Sequence, residues 1–395
     1  MKNKFLKFLI AIAFLLVIAA CGNGSNNEEP EVAAEPDAPI EIETLPIEID
    51  PDDLDPGFGV NVFLIAHSPA PYSTLDDGSF NQGAQDGILR FAQSHPGTVH
   101  SFLQPHEASD DARIDIIEDA IAQGANIIVL PGFHFENALY TAQDIFSDVK
   151  FILLDASPVN PNPAEEGARE VRVAPNVAAI HYAEEQSGFL AGYAAVMEGY
   201  RDLGFLGGLP VPAVVRFGHG FIQGAEFAAE SLGLDAGEVT IHFEYLGGFG
   251  PTPERQATAG AIFASGTEVI FVAAGGAGNS VMAAAEAAGG SVIGVDVDQY
   301  WQSETIVTSA LKGLETSVYD MLTDFAHGNF NGGQELMFEA SNNGVGLAMD
   351  TSRLENFTQA AYDSIFAMLA SGEITVSASL DMSDIQTTLV SVSEQ

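Results

Sequence analysis

From Gly59 onward, short apolar runs alternate with longer helical segments. The runs Val60–Ala66, Ala125–Leu130, Lys150–Leu154, Leu203–Gly207, Val239–Tyr245, Val269–Ala273 and Ser291–Val295 read as strands. The intervening segments predict helices over Ser79–Gln93, Asp110–Gln123, Phe135–Phe146, His181–Met197, Phe217–Leu232, Pro253–Ser265 and Gly278–Ala288. This alternation predicts an α/β fold of parallel sheets covered on both faces. Uninterrupted apolar strands such as Ile127-Ile128-Val129-Leu130 fit that burial. The series is too long for one comfortable sheet, and the stretch Ser157–Ala174, rich in Pro, Asn and Glu, is the expected break. Two lobes joined by crossings leave a cleft, with ligand groups at the carboxyl ends of the strands.

The chain before Gly59 follows different rules. Lys2, Lys4 and Lys7 precede an apolar segment, Phe8 to Ala20, that ends in small residues. This is the layout of a secretory signal peptide, and it is shorter than the roughly 20 residues that span a bilayer. Cys21, the only cysteine, stands at the cut and resembles the lipobox of bacterial lipoproteins. The expectation is a lipidated N-terminus; the plainer alternative is a simple signal peptide or anchor. With no other cysteine, the mature chain has no disulfide and no thiol nucleophile. Residues 21–57 form an acidic, Pro-rich stretch without a cation, from Glu28 to Asp55. Such a segment self-repels and buries little, so it reads as a tether.

Composition narrows the function. Hydrophobic content of 47% supports a real core. Lys and Arg number 13 against 55 Asp and Glu, for a net charge of −42. Nucleic-acid binding requires clustered cations that displace phosphate counterions, so nucleic acid is excluded as a partner. A polyphosphate substrate is disfavoured for the same reason.

Six clusters carry candidate chemistry. Asp76-Asp77-Gly78-Ser79-Phe80-Asn81 opens the first helix, where Asp77 or Ser79 can cap it and Phe80 either packs inward or offers a flat face to a ligand ring. Phe151-Ile152-Leu153-Leu154-Asp155 ends an apolar strand in a carboxylate, either a turn residue or an acceptor for hydroxyl groups. Gly204-Phe205-Leu206-Gly207-Gly208 and the downstream Val215–Phe221 place Phe217 near a helix start. Ala274-Gly275-Gly276-Ala277-Gly278 permits close backbone approach but lacks the Lys-Ser/Thr ending of a P-loop. Asp296 and Asp298 follow a strand and, on extended backbone, would point the same way. Thr308–Lys312 ends in one of only two lysines beyond the signal, and Lys312 either pairs with Asp296 or is an ordinary exposed lysine. No histidine has zinc-type partners, and no nucleophile elbow or Ser-His-acid set stands out, so an enzyme is not expected, nor a metal or a cofactor.

In order, the stretches DDGSFNQGA, FILLDA, SGFLAGYAA (Ser187–Ala195), GFLGG, VVRFGHGF, AAGGAG, IGVDVDQ and TSALK resemble the basic membrane protein family. Asn342-Asn343-Gly344-Val345-Gly346 is similar to that family's late turn. The resemblance covers roughly residues 60 to 350. It implies the type 1 periplasmic binding fold: two Rossmann-like lobes joined by a hinge, with ligand in the cleft. The expected division is 58–158 plus about 299–330 for lobe 1, and 175–298 plus about 331–385 for lobe 2.

The resemblance also implies site roles. Phe80 and Phe217 would sandwich a purine base, and Asp155, Gly275, Asp296 and Lys312 would hold ribose hydroxyls. Asn81 would order the loop beside the first ring. Where the family has an Asp near the base edge, this chain has His67, followed by a longer loop that would bring Tyr72 within reach. A carboxylate only accepts, whereas a neutral histidine has one donor and one acceptor, so ribose recognition looks retained while base preference is open. The implied function is a monomeric, lipid-anchored extracytoplasmic binding protein that passes a nucleoside to an ABC permease. A sensor presenting its ligand to a membrane receptor, or a nucleoside hydrolase using Asp296 and Asp298, are the alternatives.

Overall fold

In the computed structural model, residues 59–69, 73–165 and 167–394 are described. Cys21, the acidic stretch 21–57 and Tyr72 lie outside the described residues.

The chain first builds β1 (Asn61–Ile65), α1 (Phe80–Ser94), β2 (Val99–Leu103), α2 (Asp110–Ala122), β3 (Ile127–Pro131), α3 (Glu136–Ile145), β4 (Lys150–Leu154) and β5 (Val177–Tyr182). It then crosses into α4 (Glu184–Glu198), β6 (Asp202–Gly207), α5 (Pro212–Leu232), β7 (Val239–Tyr245), α6 (Pro253–Ala264), β8 (Val269–Ala273), α7 (Gly278–Ala288), β9 (Ser291–Asp296) and β10 (Ile306–Lys312). A return crossing adds α8 (Leu314–Ala326) and β11 (Gln334–Phe338), and a third leads to β12 (Val345–Leu347), α9 (Gln359–Ala370) and β13 (Val390–Glu394).

Two sheets result, ordered β11-β5-β4-β3-β1-β2 and β12-β10-β9-β8-β6-β7-β13. Every pairing is parallel except β10 with β12. Strands β3 and β8 are buried at every position, as helices on both faces require.

The lobes divide elsewhere than expected. Val177–Tyr182 belongs to the first sheet although 175 onward was expected in lobe 2, and the expected helix from His181 begins only at Glu184. Conversely, Ile306–Lys312 lies in the second sheet and Gln334–Phe338 in the first, opposite to the expected 299–330 and 331–385 segments. The crossings are therefore at Ala183, Gly313 and Glu339, directly after strands β5, β10 and β11. The stretch 157–174 is a surface connection between two strands of one sheet, not an interlobe break.

Helices α4 and α5 touch backbone to backbone. A Cβ on Gly188 would sit 2.1 Å from the Phe217 carbonyl oxygen, and one on Gly220 would sit 2.1 Å from that of Glu185. Gly192 and Gly224 are as tightly placed, at 2.0 Å from the carbonyls of Phe221 and Phe189. The SGFLAGYAA and FGHGF stretches are thus the two sides of one close helix contact. It fixes Phe217 and Arg216 against the start of α4.

Candidate functional site

The carboxyl ends of β1, β3 and β4 in one sheet face those of β8, β9 and β10 in the other, with the N-terminal turns of α1 and α5 between them. They enclose a cavity of about 380 Å3. All eight residues expected to meet a ligand line it: His67, Phe80, Asn81, Asp155, Phe217, Gly275, Asp296 and Lys312.

Asp77 caps α1. One of its oxygens accepts from the amides of Ser79 and Gln82, at 2.9 and 3.1 Å, and the other from the Asn81 amide at 2.9 Å. This leaves the Ser79 hydroxyl free to donate to Asp296 Oδ2 across the cleft at 2.5 Å. Burial pushes Asp77 up to about 6 despite those amide donors. Asn81 Nδ2 donates to the Thr74 carbonyl at 3.0 Å. Phe80, the first residue of α1, presents its ring to the cavity. Phe217 lies five residues inside α5, which starts at Pro212 and not at Phe217 itself.

Asp155 and Asp296 both close strands, and both take left-handed backbone, with φ of 59° and 69°. That conformation is uncommon outside glycine, and Asp tolerates it better than most residues. It turns each carboxylate off the line of its strand and into the cleft. Asp298 consequently does not accompany Asp296. It accepts from Thr351 Oγ1 at 2.5 Å and the Tyr300 amide at 3.2 Å, and does not line the cavity. The two acids therefore do not act as a pair, and no metal-type cluster of three occurs among the described residues.

Lys312 ends β10 at the centre of the site. Its Nζ is 2.7 Å from Asp155 Oδ2, 3.3 Å from Glu184 Oε1 and 3.8 Å from Asp296 Oδ1. Asp155, not Asp296, is its closest partner. The same ammonium lies 5.1 to 5.3 Å from the ring centres of Phe80, Phe217 and Tyr182. The three carboxylates raise the Lys312 pKa although burial opposes it, so the group stays charged. Burial pushes Asp155 up to about 7 against the pull of Lys312, and raises Asp296 in the same way. Asp155 Oδ1 is buried without a hydrogen-bond partner among the described residues.

Sequence reasoning missed the layer behind Lys312. Glu184, fully buried at the first position of α4, also accepts from Arg216 Nε at 2.8 Å. Burial alone would raise its pKa, but Lys312 and Arg216 together hold it below the ordinary value. Its neighbour Glu185 lies 4.0 Å from Arg216, and burial pushes it up to about 7. An Arg in VVRFGHGF, in a chain with few cations, was the available signal.

His67 occupies the far end of the cavity stacked on His134, with centroids 4.1 Å apart and planes within 9°. Its Nδ1 pairs with Ser68 Oγ at 2.8 Å, and Arg113 Nε donates to its carbonyl at 2.9 Å. Burial, then His134 and Arg113, push His67 down to about 3, and His134 falls to about 4. Both rings are neutral at physiological pH.

The sequence profile of the family described as ABC transporter substrate-binding protein, PnrA-like, matches residues 70–378. The chain is 27% identical over 303 residues to the ABC transporter nucleoside-binding protein BmpA of Lactococcus lactis subsp. cremoris, covering 71% of this chain and 80% of that one. It is 25% identical over 309 residues to basic membrane protein A of Borreliella afzelii, covering 77% and 88%. Among solved structures it is similar to an ABC transporter system solute-binding protein from Aeropyrum pernix K1, with a TM-score of 0.68 at 21% identity over 82% of this chain and 95% of the other. A solute-binding protein from Conexibacter woesei gives a TM-score of 0.62 at 22% identity, covering 81% and 99%. These structures share the two-lobed fold.

Proposed function

This chain belongs to the family of PnrA-like ABC transporter substrate-binding proteins, and from that premise we propose that it captures a nucleoside, a purine nucleoside in preference, for an ABC importer. It does so outside the cytoplasm, held to the membrane by lipid on Cys21. The base lies between Phe80 and Phe217. The ribose hydroxyls meet Asp155, Asp296, Lys312 and the Gly275 backbone.

One observation carries this reading. Asp155 Oδ1 is a buried acceptor without a donor among the described residues, beside a charged lysine whose ammonium lies 5.1 and 5.2 Å from the ring centres of Phe80 and Phe217, one from each lobe. A buried acceptor left unsatisfied costs about 1–3 kcal/mol, so the closed site favours a ligand that brings an O–H donor to that atom. Aromatic faces on either side suit a flat ring. Lys312, the one lysine or arginine among the described residues that line the cavity, is already engaged by carboxylates, which disfavours a phosphate on the ligand. The relative from Lactococcus, named for nucleoside binding, supports the same class. Closure of the lobes about the three crossings completes the mechanism.

The test is capture. The protein is mixed with equal amounts of nucleosides, nucleobases and nucleoside monophosphates, freed of unbound solute and denatured. Chromatography of the released material is expected to return nucleosides alone. Recovery of bases or monophosphates in their place would contradict the proposal.

A further inference from the structure

Resting on that reading of the site, we propose that Glu184 is a positioning residue: it holds the Lys312 ammonium back against the hinge so that the ligand's hydroxyl pair, and not the lysine, fills the space between Asp155 and Asp296. Glu184 begins α4 at one crossing, and Lys312 ends β10 at another. Their 3.3 Å approach ties the two crossings together from behind. Neither Glu184 nor Arg216 lines the cavity, whereas Asp155, Asp296 and Lys312 all do.

The geometry explains why a rear carboxylate is needed. Asp155 comes from the first sheet and Asp296 from the second, and both attract the same cation. Without a third pull, Lys312 would settle between them, using its donors on both. The hydroxyls of a ligand would then meet a satisfied ion pair. In the structure the ammonium hydrogen-bonds Asp155 Oδ2 and forms an ion pair with Glu184 Oε1 at 3.3 Å, while Asp155 Oδ1 has no hydrogen-bond partner among the described residues. The Arg216 guanidinium on α5 takes the other Glu184 oxygen, Oε2, at 2.8 Å, fixing the carboxylate's direction. The glycine contact between α4 and α5 sets that distance: Gly220 of α5 lies against the Glu185 carbonyl.

The test is Glu184→Gln in the full chain, with Glu185→Gln as the neighbouring control. Titration with a nucleoside and with its 2′- and 3′-deoxy analogues is expected to show discrimination for hydroxyls falling from about 100-fold or more to below about tenfold. A matching arm needs no ligand. In protein labelled with 15N-lysine, the Lys312 ammonium is expected to give an exchange-protected resonance, identified by its absence in Lys312→Arg. That resonance should be lost in Glu184→Gln and kept in Glu185→Gln. Arg216→Lys, which removes the directed Nε contact, should move both readouts the same way by less, and serves if Glu184→Gln does not fold. An unchanged ammonium resonance, or equal weakening of ribosyl and deoxyribosyl ligands, would overturn the proposal. Failure of the unmodified chain to bind any nucleoside would contradict the function proposed above, and the ammonium resonance would then decide the role of Glu184 by itself.

Discussion

Lys312 and Asp155, from opposite lobes and 157 positions apart in sequence, meet at 2.7 Å with side chains only 2% and 12% exposed. A buried pair of this kind contributes little net stability when intact, because desolvation offsets the attraction. Removing one partner is another matter, since the other charge is then left buried. Lys312→Met should abolish ligand binding and destabilise the protein by about 3–5 kcal/mol while the fold persists. Asp155→Asn keeps the shape and should cost less stability, yet weaken binding by about 100-fold. Urea unfolding and calorimetry on the two variants separate these effects.

Acidity should move stability and affinity in opposite directions. Asp155 and Glu185 have folded pKa values raised to about 7, and Asp77 to about 6, each mainly by burial. A raised carboxyl pKa means that between about pH 4 and 7 the folded state holds protons that the unfolded state has released. Stability of the ligand-free protein therefore falls as pH rises across that window. On the proposed function, binding uses ionised Asp155 as acceptor, so affinity is expected to rise as pH increases through about 7. Urea midpoints at pH 5 and 8 without ligand, and titrations at pH 6 and 8, check both signs. Glu185→Gln should flatten the stability profile without altering the trend in binding.

The α4–α5 contact tolerates no added atom. Gly192→Ala puts a methyl carbon 2.0 Å from the Phe221 carbonyl oxygen, so the helices must separate. A loss of about 3 kcal/mol, at the upper end of overpacking costs, is expected. Gly260, inside α6 with nothing near its Cβ position, is the control. Gly260→Ala should stabilise by about 0.5–1 kcal/mol through reduced freedom of the unfolded chain. Thermal unfolding of both variants reads the contrast directly.

His67 should set base preference. The neutral imidazole, stacked on His134, offers a donor as well as an acceptor where a carboxylate would only accept. His67→Asp is expected to favour bases that present N–H donors at that edge, shifting the guanosine-to-adenosine affinity ratio by about tenfold while ribose discrimination stays intact. Competition titrations with the two nucleosides measure the ratio.

Strand ends were where the sequence spoke most clearly. Asp155 follows the apolar run Phe151–Leu154 and Asp296 follows Val292-Ile293-Gly294-Val295, and parallel sheets place such strand ends at a cleft, where both line the cavity. Glu184 was not legible because Glu184-Glu185 at a helix start is what the helix dipole favours anyway. Its burial depends on α5, far along the chain. The division into lobes was misplaced for a related reason. Gln334–Phe338 is an edge strand whose apolar run is only the three residues Leu336-Met337-Phe338, and Thr308-Ser309 interrupts the pattern of β10, so neither announced which sheet it joins. Sheet membership there is decided by long-range pairing with β5 and β9.

On the proposed function, hydroxyl groups on a nucleoside complete the Asp155–Lys312–Asp296 cluster. Calorimetric titration of the ligand-stripped protein with nucleosides, free bases and ribose tests it most directly. Tight binding of nucleosides is expected, with weak or absent binding of bases, which lack the hydroxyl pair, and of ribose, which lacks the ring. Equal affinity for a base and its nucleoside, or no binding of any nucleoside, would contradict it.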